Sequence, residues 1–151
     1  MALVEWSTEY EIGIPAFDAQ QKRFVGFIND LDVASRTNDM AKMNHVMEEL
    51  LHYTVTHFEV EEELLEKAEY LYLKAHRKVH ELFMKKVSEF RARANKGENI
   101  SAELLEVLKC WLNTHITRED RDYVPCIKRI TESKDAAVTG WLGTKIKQLM
   151  S

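Results

Sequence analysis

Apolar residues recur at three- and four-residue spacing along most of the chain, the period of a helix with one buried face. Phe17, Phe24, Ile28 and Leu31 mark the first such face, and the spacing predicts a helix over about 18–35, after a turn at Gly13–Pro15 and with Asp18 as N-cap. A second helix is expected over about 39–67, with Met43, Met47, Leu50, Thr54, His57, Glu61 and Leu64 on its stripe. A third is expected over about 70–94, carrying Leu73, His76, His80, Phe83, Val87 and Phe90. The polar stretch 95–100 breaks the pattern, and a fourth helix follows from Ser101, its expected N-cap, to about Asp122, with Leu105, Leu108, Leu112 and His115 inward. A short amphipathic segment over about 135–150 closes the chain. Four helices with short connections predict an all-α, up-down-up-down four-helix bundle with a short extra C-terminal helix. The expected organisation is a single domain over 1–151, with an N-terminal arm (1–17), the bundle (about 18–122) and a C-terminal segment (about 123–151).

The polar residues on these apolar stripes change the picture. Gln21 falls on the face marked by Phe17 and Phe24, and a buried amide without partners is costly. In an antiparallel bundle the starts of helices one and three lie at the same end as the finishes of helices two and four. Gln21, His57, Glu61, His76, His80, His115 and Asp120 are therefore expected at one level of the core. His57 and Glu61 are four apart, as are His76 and His80, so each pair sits within about 40° on one face. His115 and Asp120 are five apart, about 140° on a regular helix. Either the helix is distorted there, as π-bulges at functional sites are, or Asp120 reaches in from the helix edge.

So many inward imidazoles and carboxylates would be strongly destabilising if unsatisfied. A metal centre resolves this, because imidazoles ligate, carboxylates bridge, and the cation offsets the buried negative charge. Bundle cores that hold two metals use this donor mixture, which suits iron, manganese or zinc better than copper(I) or calcium. A bundle whose histidines and carboxylates merely pair with each other must still explain the desolvation of so many charges at one level.

Composition narrows the function classes. The chain has 151 residues, with 45% hydrophobic and 30% charged, as ordinary globular domains have. Only 5 Gly and 2 Pro argue for long helices rather than a turn-rich β fold. A net charge of −4 with interspersed signs gives neither the basic footprint of a nucleic-acid binder nor a polybasic membrane patch. No apolar run approaches a membrane span, and the N-terminus lacks a signal-peptide pattern, so a cytoplasmic location is expected. Cys110 and Cys126 form no metal or redox pair and are expected as buried, reduced thiols. His45 and His52 are expected as surface or satisfied histidines; His52 lies about 140° from His57, a poor position for a substitute ligand. The acidic run 59–66 is expected to be mostly a solvated face; only Glu61 has the offset from His57 to point inward.

The series HFEVE (His57, Glu61), HRKVH (His76, His80) and HITRED (His115, Asp120) resembles the hemerythrins, whose bacterial members show H…HxxxE…HxxxH…HxxxxD. The resemblance extends to Trp6, to GIPAFD before the first helix, to HFEVEEELL and to Tyr70, covering roughly residues 6–125. It implies a four-helix bundle holding two non-heme Fe ions, oxo- or hydroxo-bridged, that bind O₂ reversibly. His76, His80 and His115 would hold one iron, Glu61 and Asp120 would bridge, and His57 would hold the second, where O₂ binds. The family's first histidine follows a D-x-Q pattern; this chain has Gln21 there. Gln21 could ligate weakly, hydrogen-bond a water on the second iron, or leave that iron loosely held or absent. Phe24, Trp111, Leu112 and Ile116 would line a dry O₂ pocket by the same resemblance, though ordinary packing accounts equally well for Phe24 and Trp111.

The leading expectation is thus an O₂-binding protein for carriage, storage, delivery or sensing, with O₂ or small anions as partners at the metal. The alternatives are a di-iron oxidase- or peroxidase-like enzyme and a metal-storage protein with a one-metal site. No separate nucleophile, phosphate loop or substrate motif supports the enzyme.

Overall fold

The computed structural model describes residues 4–132 and 135–150; within that span the side chains of residues 116–120, 131, 136 and 150 are not described. Among the described residues the regular structure is all helical. α1 (Pro15–Thr37), α2 (Met40–Lys67), α3 (Leu73–Asn95) and α4 (Ser101–Trp111) form the bundle. A π-helical stretch, Leu112–Glu119, continues α4 into α5 (Asp120–Asp122), and α6 (Val124–Thr131) and α7 (Ala136–Met150) follow. A single 3₁₀ turn, Thr8–Tyr10, precedes the bundle. α1 packs against α2 and α4, α2 packs against α3, and α7 lies across α1 and α2. No described helix is long and apolar enough to cross a membrane.

The helix boundaries follow local chemistry, with three departures from expectation. α1 begins at Pro15, whose fixed φ suits a first helical position, so Asp18 is not its N-cap. Asp18 instead accepts from the Ile12 amide at 2.7 Å and fastens the N-terminal arm. Ser101 is the first residue of α4 rather than its cap. Two helices, not one, follow the bundle, because Tyr123 and Pro125 start α6 between Asp122 and the last segment. At the α1–α2 corner, Asn38 takes the left-handed conformation (φ 53°) and Asp39 caps α2 by accepting from the Lys42 amide at 3.0 Å. α3 ends where Gly97 (φ 92°) lets the Glu98 amide reach the Arg93 carbonyl at 3.2 Å.

The core is divided in two. One apolar cluster runs from Phe24, Ile28 and Leu31 through Met43, Leu50, Phe83, Val87 and Leu108. The other gathers Ile14, Phe17, Val60, Leu64, Tyr123 and Ile127. Along α1, Gln20 and Gln21 are buried between Phe17 of one cluster and Phe24 of the other. Along α2, Glu61 follows Phe58 of the first cluster and precedes Leu64 of the second. The layer between the clusters holds Gln20, Gln21, His57 and Glu61 among the buried polar side chains.

Candidate metal centre

Glu61 is the hub of that layer. It is fully buried on α2, and both carboxylate oxygens are engaged. Oε1 accepts from His76 Nε2 at 2.5 Å and lies 3.1 Å from His80 Nε2. Oε2 lies 3.3 Å from His57 Nε2 and accepts from the Tyr123 hydroxyl at 3.0 Å. The four-residue spacings put His57 beside Glu61 on α2 and His76 beside His80 on α3. The antiparallel pairing of α2 and α3 then brings the two pairs to one height. His115 arrives from the π stretch beyond α4, its Nε2 3.1 Å from His80 Nε2. Ligand atoms of Glu61, His76, His80 and His115 all lie within 4.8 Å of one another.

The protonation pattern follows from this packing. Burial alone would raise the Glu61 pKa, but the hydrogen bonds of His57, His76 and His80 outweigh it and hold the carboxyl ionised, well below its ordinary value. Burial disfavours a charged His80, yet the carboxylates of Glu61 and Glu62 outweigh that and raise its pKa. His115 is pushed down to about 2 by burial, which outweighs the opposing charge of Glu61, with the neighbouring His80, His76 and His57 adding to the depression. His115 is therefore suited to ligate as a neutral imidazole. His57 Nδ1 is buried with no hydrogen-bond partner among the described residues, another polar atom the apolar surroundings leave unsatisfied. The donor set of imidazole and carboxylate fits iron, manganese or zinc.

Gln21 is fully buried and borders a small cavity of about 10 Å³, enough for about one water-sized molecule. The cavity is also lined by Phe24, Tyr53, Thr54, His57, Phe58, Phe83, Trp111 and His115. Aromatic faces pack against the imidazoles around it. Phe58 stacks on His80 at 3.7 Å, Trp111 on His115 at 4.0 Å and Tyr53 on His57 at 5.3 Å. Leu112 is buried in the first apolar cluster but does not line the cavity, and the Ile116 side chain lies outside the described residues.

His45 and His52 are exposed, so the bundle does not bring His52 to the centre as a substitute ligand. The Asp120 side chain lies outside the described residues. Its backbone position is informative, because a π ladder bonds residues five apart and turns the His115-to-Asp120 spacing into one turn of chain. The cysteines correct an expectation: both are free, but Cys110 is exposed and Cys126 only half-buried, since each falls on the outer face of its helix.

Two contributors were not expected from the sequence. Tyr123, fully buried at the start of α6, lies far from the stripe motifs, and only a buried hydroxyl's need for a partner hinted at it. Tyr123→Phe is expected to destabilise the cation-free protein by about 1.5–3 kcal/mol, the worth of a hydrogen bond to a charged group, measured by denaturant unfolding. Glu62 was assigned to the solvated acidic face. It is instead half-buried, accepts from His80 Nδ1 at 3.2 Å, and is itself held by Arg77 at 3.2 Å. The approach of α3 to α2 brings His80 within reach of position 62. A carboxylate behind a ligating imidazole fixes the ring and raises its basicity. Glu62→Gln is expected to lower cation affinity about tenfold, measured by competition with a chelator.

Comparison with known proteins agrees with this construction. The family model described as "Hemerythrin HHE cation binding domain" matches residues 12–127, a span that includes every side chain of the centre. The chain is 39% identical over 150 residues to the bacteriohemerythrin of Stenotrophomonas maltophilia (strain R551-3), covering 98% of each chain. It is likewise 39% identical over 150 residues to the bacteriohemerythrin of Pseudomonas aeruginosa (strain LESB58), again with 98% of each covered. A solved crystal structure of a hemerythrin point mutant superposes with a TM-score of 0.78 at 25% identity, covering 84% of this chain and 98% of that one. A match that spans the bundle, with relatives aligned almost end to end, establishes that the chain belongs to the hemerythrin family.

Proposed function

We propose that the chain is a non-heme di-iron protein that binds O₂, serving carriage, storage, delivery or sensing, with an altered second iron position at Gln21. The observation that carries this reading is the placement of Glu61. One of its oxygens faces His76 and His80 and the other faces His57, as a carboxylate spanning two cations would. His76, His80 and His115 would hold the first iron, and His57 would hold the second, with Gln21 at the family's first-histidine position. Glu61, with Asp120, would bridge. The irons would supply reversible O₂ binding. The protein's own part is to fix the imidazoles by stacking and by the Glu62 contact, and to keep the pocket dry. Phe24 and Trp111, on the wall of the small cavity, would limit water and proton entry there. Membership of the hemerythrin family supports a non-enzymatic role.

A one-metal site is the second reading, favoured by a specific observation. Glu61, His76, His80 and His115 already form a compact set of donors, and His57 stands outside it. Anaerobic reconstitution with Fe²⁺, metal counting, and absorption spectra before and after O₂ exposure and removal separate the readings. Two irons per chain and a spectral change that reverses on deoxygenation support the proposal. One iron per chain supports the second reading, and irreversible oxidation with peroxide turnover would count against carriage.

A further inference from the structure

The described donors His57, Glu61, His76, His80 and His115 are at most 6% exposed, so a cation needs a path to them. The cavity beside Gln21 holds only about 10 Å³, too little for a hydrated divalent ion. A surface groove of about 400 Å³ at the start of α3 is different: it is lined by Tyr70, Tyr72, Ala75, His76, Val79 and Asp122. His76 therefore has two aspects, one on the wall of this groove and the other at Glu61 Oε1, 2.5 Å from Nε2. Resting on the metal-centre reading above, we propose that this groove is the port through which a divalent cation such as Fe²⁺ enters and leaves, with Asp122 as the capturing carboxylate and His76 as the first imidazole met.

The chemistry of the walls suits a hydrated cation. Asp122 is exposed and lies outside the four-residue donor set, so it can attract an ion without competing for its final position. The Tyr70 ring stands edge-on to His76 at 6.5 Å and to Tyr72 at 5.8 Å, which walls the groove down to the imidazole. Two cations of α3 next to the groove residues in sequence are partly offset: Arg77 pairs with Glu62 and Glu66, both at 3.2 Å, and Lys78 with Glu81 at 3.6 Å. A carboxylate at the mouth lets a divalent ion exchange its waters one at a time rather than shed them together.

A port acts on rates in both directions and leaves the equilibrium alone. The test uses the full chain, cation-free, mixed anaerobically with Fe²⁺, and follows uptake, removal by a chelator, and final iron content. Asp122→Asn is expected to slow uptake and removal alike, about tenfold at low salt, with the difference shrinking as salt is added. Ala75→Trp fills the groove from an exposed helix position and is expected to slow uptake and removal by the same factor. Final iron content should match the wild type in both. Wild-type uptake rates in both variants would overturn the port while leaving the metal centre standing. Lowered final content in Asp122→Asn would make Asp122 a ligand rather than a port residue, and would overturn the proposal too. A wild-type chain that binds no iron would overturn the metal reading itself.

Discussion

Glu61→Gln is expected to reduce bound iron to less than one equivalent per chain and to weaken cation binding by more than about 100-fold. Partners behind a metal ligand are worth about 10–100-fold each, and the residue that faces His57, His76 and His80 together should exceed them. The amide keeps the shape of the carboxylate but has one acceptor and one two-proton donor in place of two acceptors. One end would still receive a ring N–H, whereas the other would present hydrogens to a nitrogen that must keep its lone pair for a cation. The lost negative charge matters as much, because Glu61 is a fully buried carboxylate held ionised by hydrogen bonds from His57, His76 and His80, and a cation would meet that charge. Metal counting after anaerobic loading, together with chelator competition, measures the effect. Retention of wild-type iron content by this variant would remove Glu61 from the centre.

Gln21→His carries the second large effect, in the opposite direction. Position 21 is fully buried on α1 and shares its small cavity with His57 and His115. An imidazole there would add a nitrogen donor on the side of Glu61 that faces His57. The gain in affinity at the second iron should be at least the about 10–100-fold that outer partners contribute. The expected result is iron content rising toward two per chain at limiting Fe²⁺, with slower loss of the O₂-bound spectrum. Iron content and O₂ behaviour unchanged from the wild type would show that Gln21 does not limit the second position. The two variants also discriminate between readings. A one-metal centre would lose its cation with Glu61→Gln and be indifferent to Gln21→His.

Much of this site was legible because helices convert spacing into direction. The four-residue intervals of His57–Glu61 and His76–His80 fixed two inward pairs, and the apolar stripes around them fixed which way was inward. The five-residue interval between His115 and Asp120 was legible as an anomaly, and the π stretch over Leu112–Glu119 accounts for it in the backbone. Glu62 was misread for an instructive reason. Its angular position on α2 alone points toward solvent, and only the neighbouring α3 covers it and supplies His80 Nδ1. Tyr123 was invisible for a related reason: it belongs to no stripe, and α6 is too short to show a period of its own.

The linear sequence by itself determined the four bundle helices, their buried faces, the height at which the polar residues meet and the family to which the chain belongs, because each depends on periodicity or on local motifs. Tertiary structure alone decided which oxygen of Glu61 faces which imidazole, that Tyr123 and Glu62 join the centre, that the cavity beside Gln21 is small, and that His76 reaches a surface groove. Those features depend on distances between side chains of different helices, set by how the helices pack against each other, and no spacing within one helix encodes them.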